Sequence, residues 1–451
     1  MNRIKLVFAF VFLIFFIFGC KKNQKSLVKT YPKVEKILSQ MTLEEKVGQM
    51  TQITLGVFGK GGDKDHRPEP FILDQIALEK AFKTYKIGSV LNTVNNKAQS
   101  REWWNSTIEQ IQDYAIKETG IPVLYGVDAI HGAGYTAGAT LYPHQIGQGA
   151  TFNPKLVKQL NEITAYEMRA SNIPWTFSPV QDMGRDPRDP RFWETYGEDV
   201  YVAQELGKAA VIGLQGEDHD NIDKFHGAAC LKHFLAYNSN SGKDRNPLSM
   251  SVRELKEIHA ASFQAAIDAG AKTIMISSGL INGFPVHANY EILTRLLRHE
   301  MGFEGMIVSD WADINNLYKR DKIVSSKKEG VKLAINAGID MSMVPYTFDF
   351  CDYLIELVHE GEVPMSRIDD ATRRILNLKY ELGLFETPNT YLEDYTDFSG
   401  KYFERIAYQS ATESITLLKN ENDILPLHKE VKVLVTGPNS NSMRTLNGGW
   451  S

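Results

Sequence analysis

The chain has 451 residues, and its 50 Lys and Arg against 55 Asp and Glu leave a formal charge of −5. With 43% hydrophobic and 23% charged residues it has a globular make-up, which excludes a disordered or fibrous chain; a mildly acidic balance without a basic run argues against nucleic acid as a partner. Three cysteines, Cys20, Cys230 and Cys351, are too few for a disulfide scaffold, and no CxxC or Cys/His cluster marks a zinc site.

The amino terminus has the layout of a secretory signal. Arg3 and Lys5 give a positive start, Leu6 to Phe18 is an unbroken apolar run of 13 residues, and Gly19-Cys20 and Lys21-Lys22 follow. At about 1.5 Å per residue such a helix reaches only about 20 Å, short of a bilayer's hydrocarbon core. A small residue directly before cysteine resembles a bacterial lipobox. Residues 1–20 are therefore read as a signal whose Cys20 becomes acylated and anchors an exported chain to the membrane, periplasmic or at the cell surface. An ordinary signal peptide with an incidental cysteine is the alternative. Residues 21–40, polar and rich in lysine, are read as a tether.

Met41-Thr42-Leu43-Glu44-Glu45 opens a helix, with Thr42 and Glu45 at capping-box spacing. Short apolar runs bounded by Gly, Pro or Asn then recur. They predict strands near Gly48–Leu55, Lys86–Leu91, Pro122–Gly126, Trp175–Ser178, Ala228–Lys232, Thr273–Ser277, Met306–Ser309 and Ile339–Ser342. Amphipathic stretches between them, among them Pro154–Ser171, Val202–Gln215, Val252–Ala269 and Tyr290–Met301, predict helices. Eight strands alternating with helices over about 300 residues is what a closed parallel (β/α)8 barrel requires, an open doubly wound sheet being the alternative.

A barrel places its working residues just past the carboxyl ends of the strands. Four polar clusters fall there: Tyr125 to Gly132 with Asp128 and His131, the irregular loop Asp182 to Asp199, Lys232-His233-Phe234, and Ser309-Asp310-Trp311. They converge on one mouth. After Leu384 the pattern changes. Residues 386–402 read as a linker, Phe403–Leu418 as a helix, and Lys432–Thr436 as a strand. Roughly 50 residues with one helix and one strand cannot bury a core alone. Residues 41–385 are thus read as the barrel, and 403–451 as a second domain that is incomplete at Ser451.

Gly126-Val-Asp128-Ala-Ile-His131-Gly132, Gly184-Arg185-Asp186-Pro187-Arg188 with Arg191, Glu194 and Gly197-Glu198-Asp199, Lys232-His233-Phe234 and Ser309-Asp310-Trp311 resemble the signatures of glycoside hydrolase family 3. They occur in family order, and the resemblance runs from about Met41 to Ser451. Leu417-Leu-Lys-Asn420 and Leu425-Pro-Leu427 resemble the opening of that family's second, α/β sandwich domain. The variant with Asp128-Ala-Ile-His131 and Thr140-Leu-Tyr-Pro-His144 looks most like exo-acting β-glucosidases of lipoprotein type.

The resemblance implies a retaining hydrolase that releases glucose from β-glucosides or β-linked oligosaccharides, with Asp310 as the nucleophile that forms a covalent glycosyl-enzyme. A Ser-Asp after a strand also caps helices, which is the bland reading of Asp310. The resemblance further implies that Asp128, Arg191, Lys232 and His233 grip the hydroxyls of the non-reducing-end sugar. Trp311 would offer the ring an apolar face. His131 is expected to pack and bond locally, and Glu194, Glu198 and Asp199 to hold their loop. No redox, nucleotide or metal cofactor is called for, and oligomeric state is not legible.

Two departures from the family pattern stand out. Ser277-Ser278-Gly279 lies where many of the β-glucosidases have Ser-Tyr-Asn, which removes a tyrosine able to contact the nucleophile. The family's acid/base glutamate comes from the second domain, beyond a Gly-Gly-Trp-Ser segment like residues 448–451, and is expected past Ser451. Glu413, Glu421 and Glu430 lie in the wrong part of that domain to substitute, so these residues alone are expected to be poorly folded or nearly inactive on natural glycosides. Lys232-His233-Phe234 continues as Leu-Ala-Tyr-Asn, without the Pro-Gly-His of the family's β-N-acetylhexosaminidases. β-Xylosidase or arabinofuranosidase activity stays open, as does a non-catalytic, membrane-anchored sugar-binding lipoprotein.

Overall fold

The computed structural model describes residues 28–218, 220–238 and 242–451. The apolar run 6–18 and Cys20 lie outside the described residues. In chain order the strands are β1 (Thr51–Thr54), β2 (Ser89–Leu91), β3 (Leu124–Val127), β4 (Trp175–Thr176), β5 (Cys230–Phe234), β6 (Thr273–Ile276), β7 (Leu280–Ile281), β8 (Phe284–Pro285), β9 (Met306–Val308) and β10 (Ser342–Met343). β7 and β8 form a small antiparallel hairpin. The other eight are parallel, and each overlaps a run read from the sequence.

Five of them line up as β10-β1-β2-β3-β4 and three as β5-β6-β9. The two seams between these sheets are closed by parallel bridges. Trp175 with Ala228 and Val180 with Lys232 join β4 to β5, and Val308 with Met341 joins β9 to β10. The sheet is therefore a closed (β/α)8 barrel, and the open doubly wound alternative falls. A buried charge secures the second seam: Asp340 accepts from the Ile307 amide at 2.8 Å and from Arg298 at 2.6 Å, and pairs with Arg367.

Local chemistry sets the helix starts. The Thr42 hydroxyl accepts the Glu45 amide at 3.3 Å while the Glu45 carboxylate accepts the Thr42 amide at 2.9 Å, the reciprocal box the spacing predicts. Asn153 caps Pro154–Arg169, whose first residue is a proline needing no donor partner. Asp199 caps Val200–Gln215, the holding role expected of it.

Three expectations are corrected. The range read as a tether ends in a helix: Pro32–Gln40 buries Val34 and Leu38 against Ile121 and Leu376. Those two residues are four apart and share one helix face, a signal hidden by the polar residues around them. The helix read over Phe403–Leu418 is Lys401–Glu413. Phe403, Ile406 and Ala407 pack on Tyr142, Leu156, Leu160 and Ile163, whereas Ile415, Leu417 and Leu418 are exposed and meet no apolar partner that would extend the helix. Residues 432–436 form no strand, because no described segment lies beside them to take up their amides and carbonyls, and Val433, Leu434 and Val435 are exposed.

Beneath the amino ends of β1 and β2 the helix Met365–Glu381 sends in a buried lysine. Lys379 Nζ donates to Gln49 Oε1 at 2.6 Å and to the Gly88 carbonyl at 2.8 Å. Burial pushes its pKa down to about 7. The unfolded chain holds a proton on this amine up to about pH 10.4, so between about pH 7 and that value the unfolded state binds more protons and stability rises with pH. Urea unfolding at about pH 7 and about pH 9.5 should show this increment in the parent and not in Lys379→Met. An identical pH slope in both would show that the buried amine does not titrate there.

Candidate active site

The expected site residues gather at the carboxyl ends of the strands. Asp128 follows β3 directly, Lys232 and His233 lie in β5, Arg191 stands in the long loop after β4, and Asp310 is two residues past β9. Consecutive strand residues normally point to opposite faces. The pairing of β5 with β6 shifts register between Leu231 and Phe234, and an irregularity of this kind re-aims side chains. Lys232 and His233 both reach the acidic and basic groups of the mouth.

The centre of the floor is a buried ion pair, with Lys232 Nζ 2.5 Å from Asp128 Oδ1. Burial raises the Asp128 carboxyl, and the Lys232 ammonium opposes the rise. Each group keeps valences that this one bond does not use, and charged donors and acceptors make the strong hydrogen bonds to a polar ligand.

A second chain of bonds runs through the imidazole. His233 Nδ1 lies 2.8 Å from Asp182 Oδ2, and the Asp182 carboxylate also takes the amides of His233 and Tyr237 at 3.1 and 3.3 Å. Burial drives His233 well below its ordinary pKa, aided by Arg191 and Lys232. The ring is neutral, so Nδ1–H donates to Asp182 and Nε2 is the acceptor, which fits Arg191 Nη2 at 3.2 Å. Burial also pushes Asp182 up to about 8. Arg191 binds both oxygens of Glu194 at 2.6 Å and the Tyr237 hydroxyl at 3.0 Å. Glu194 thus holds the loop through its side chain.

Asp310 is buried, and each of its carboxylate oxygens accepts a hydrogen bond. Its Oδ1 accepts the Trp311 amide at 2.5 Å and its Oδ2 the Ser278 hydroxyl at 2.8 Å. Its own amide donates to His287 Nε2 at 3.0 Å. Burial alone would raise the carboxyl, yet Arg245, the Trp311 amide, Arg191 and Ser278 together hold it below the usual carboxylate range. Asp310 is thus held in its ionised form although it is buried. Behind it, Ser278 also touches Asp313 Oδ2, and Asp313 is held by Asn316 at 2.6 Å and Arg320 at 3.1 Å.

The carboxyl-terminal residues form part of the same mouth. The Trp450 ring lies over Lys232 Nζ at 4.9 Å and over the Arg191 guanidinium at 5.7 Å. His131 Nε2 lies 3.1 Å from the Gly449 carbonyl, and His131 stacks at 3.7 Å on His144. Burial pushes His144 down to about 3. A Cβ on Gly448 would come within 2.5 Å of the His144 ring, and one on Gly449 within 2.7 Å of Trp193. Trp311 is half-buried and stands edge-on to Tyr346 at 5.5 Å.

The structure brings Asp128, Arg191, Lys232, His233 and Asp310 into one connected set, with Trp311 beside Asp310. His131 bonds the Tyr142 carbonyl nearby through Nδ1 and, beyond the local bonding expected of it, the distant Gly449 carbonyl through Nε2. Sequence reasoning missed Asp182, Tyr237, Arg245, Ser278, Asp313 and Trp450. For Ser278 a signal existed, since it occupies the departure from the family pattern that left the nucleophile's partner unfilled.

The fold and this rim define a (β/α)8 barrel with a buried, ionised carboxylate facing a mixed set of polar donors and acceptors. The sequence profile of the glycosyl hydrolase family 3 N terminal domain matches residues 42–378, and the chain belongs to that family. It is 42% identical over 439 residues to a lysosomal beta glucosidase of Dictyostelium discoideum, covering 93% of this chain and 52% of that protein. It is 35% identical over 358 residues to a beta-xylosidase of Formosa agariphila, covering 76% and 50%. The crystal structure of a beta-glucosidase from Listeria innocua in complex with glucose matches with a TM-score of 0.79 at 33% identity, over 93% of this chain and 56% of that one. The chain spans about half the length of the curated relatives it matches.

Removing one member of a buried ion pair leaves the other without a partner, at a cost of about 3–5 kcal/mol. Lys232→Met should therefore lose stability on that scale in urea unfolding, and Asp128→Asn combined with Lys232→Met should recover part of it. Equal losses in the single and double variants would show that Asp128 is not left charged.

Proposed function

We propose that the chain is the catalytic barrel of an exo-acting, retaining glycoside hydrolase that releases glucose from the non-reducing ends of β-glucosides and β-gluco-oligosaccharides. The observation that carries this reading is Asp310, kept ionised in a buried setting next to the group formed by Asp128, Arg191, Lys232 and His233. An oxygen of Asp310 bonds to the anomeric carbon as the bond to the aglycone oxygen breaks and its electron pair leaves with the aglycone. Attack by water on the anomeric carbon then returns the electron pair to Asp310, and the proton that the water gives up balances the one that the departing aglycone oxygen takes.

The sugar's hydroxyls are held by complementary groups. Lys232 and Arg191 donate, while Asp128 and the Nε2 of His233 accept. Trp311 and Trp450 present ring faces at the rim. The β-glucosidase relative and the glucose-bound neighbour support glucose as the sugar. The Formosa relative supports β-xyloside cleavage as the second reading. Export with acylation of Cys20 completes the proposal. Among the described residues no helix is long and apolar enough to cross a membrane.

The test is covalent trapping. A 2,4-dinitrophenyl 2-deoxy-2-fluoro-β-glucoside should add one fluoroglucosyl mass to the chain, and peptide mapping should place it on Asp310. Asp310→Asn should lower release of dinitrophenol from the unmodified glucoside by roughly 10³-fold or more. Sugar binding seen by calorimetry without any trapped mass would favour the non-catalytic lipoprotein. Faster turnover of the matching xyloside would favour the β-xylosidase.

A further inference from the structure

Ser278 has one proton and two carboxylates within reach. Its Oγ lies 2.8 Å from Asp310 Oδ2 and in hydrogen-bond contact with Asp313 Oδ2. A hydroxyl donates only one hydrogen bond at a time. Its position is fixed by the same arginine that holds Asp313: Arg320 Nη1 lies 3.1 Å from Asp313 Oδ1, and Arg320 Nη2 donates to the Ser278 carbonyl at 2.9 Å. Asn316 also donates to Asp313 Oδ1, at 2.6 Å. Asp313 Oδ2 is thus the second acceptor waiting for the hydroxyl proton.

We infer that Ser278 is a positioning residue whose hydroxyl proton alternates between Asp310 and Asp313 during the two chemical steps. The inference rests on Asp310 being the nucleophile of the proposed reaction. When Asp310 attacks the anomeric carbon, its carboxylate becomes an ester and loses its charge. An ester oxygen is a poorer acceptor than a carboxylate, so the Ser278 O–H turns to the Asp313 side chain, which Asn316 and Arg320 hold in place. In the second step the bond between the anomeric carbon and Asp310 breaks, the electron pair returns to the carboxylate, and the O–H turns back. No proton leaves Ser278 at any stage. The hydrogen bond favours Asp310 as a leaving group and has little to offer it as an attacking one.

The role therefore predicts an asymmetry between the two steps, where a purely structural residue would slow both. The chain is inactivated by the 2,4-dinitrophenyl 2-fluoro-glucoside, which reads formation of the ester. It is then freed of excess reagent and reactivated with azide, which reads ester cleavage without need of a general base. In Ser278→Ala, inactivation should stay within about threefold of the parent while azide reactivation slows roughly tenfold to a hundredfold, the loss of one hydrogen bond to a charged group. Ser278→Thr, which keeps the hydroxyl, should restore reactivation. Ser278→Cys, nearly the same size with a weaker donor, should resemble the alanine variant and serves if that one folds poorly. Parallel slowing of both steps, or reactivation unchanged in both the alanine and cysteine variants, overturns the role of Ser278 alone. Failure of the parent chain to be labelled on Asp310 overturns the hydrolase reading and this inference with it.

Discussion

The site depends on keeping a buried carboxylate charged. Burial by itself drives Asp310 toward its neutral form. Arg245, the Trp311 amide, Arg191 and Ser278 reverse that tendency. Groups of this kind act strongly because the medium around them is apolar. The same logic recurs across the mouth: Lys232 faces Asp128, and Arg191 faces Glu194. Those two pairs meet within bonding distance, whereas Asp310 is held by the Ser278 hydroxyl and the Trp311 amide with the arginines acting through space.

The barrel supplies the rigidity that this balance needs. Eight short strands, buried along their length, are closed by bridges at two seams; the site's polar residues stand at or just past the carboxyl ends of three of them, with Arg191 in the long loop after a fourth. A small displacement of one strand would pull a charge from its partner. Asp340, tied to the Ile307 amide and two arginines, guards the seam next to the strand that carries Asp310. Stability at the amino end of the barrel and charge placement at the carboxyl end are linked through the same strands.

Much of this was legible in the sequence. All eight barrel strands were readable because buried parallel strands are near-continuous apolar runs between Gly, Pro and Asn. The clusters that hold Asp128, Lys232, His233 and Asp310 stood out at the ends of those runs, and the family resemblance implied which of their residues to single out. What escaped were residues whose part depends on a distant neighbour. Asp182 matters through His233, and Ser278 through two aspartates 32 and 35 positions further on. A strand read at 432–436 had the right composition and lacked a partner, something composition does not record. The helix Pro32–Gln40 had too few apolar residues to stand out, and only its seat on the barrel shows why two suffice.

The docked Gly448-Gly449-Trp450 segment has an electrostatic consequence. It is joined to His131 across 318 positions of chain, and its indole roofs the ammonium of Lys232 and the guanidinium of Arg191. By shielding those cations from solvent, the roof deepens the potential they project onto the aspartates below. Trp450 is thus an insulator as well as a wall: lifting it would let solvent screen Lys232 and Arg191 without moving a single charged group.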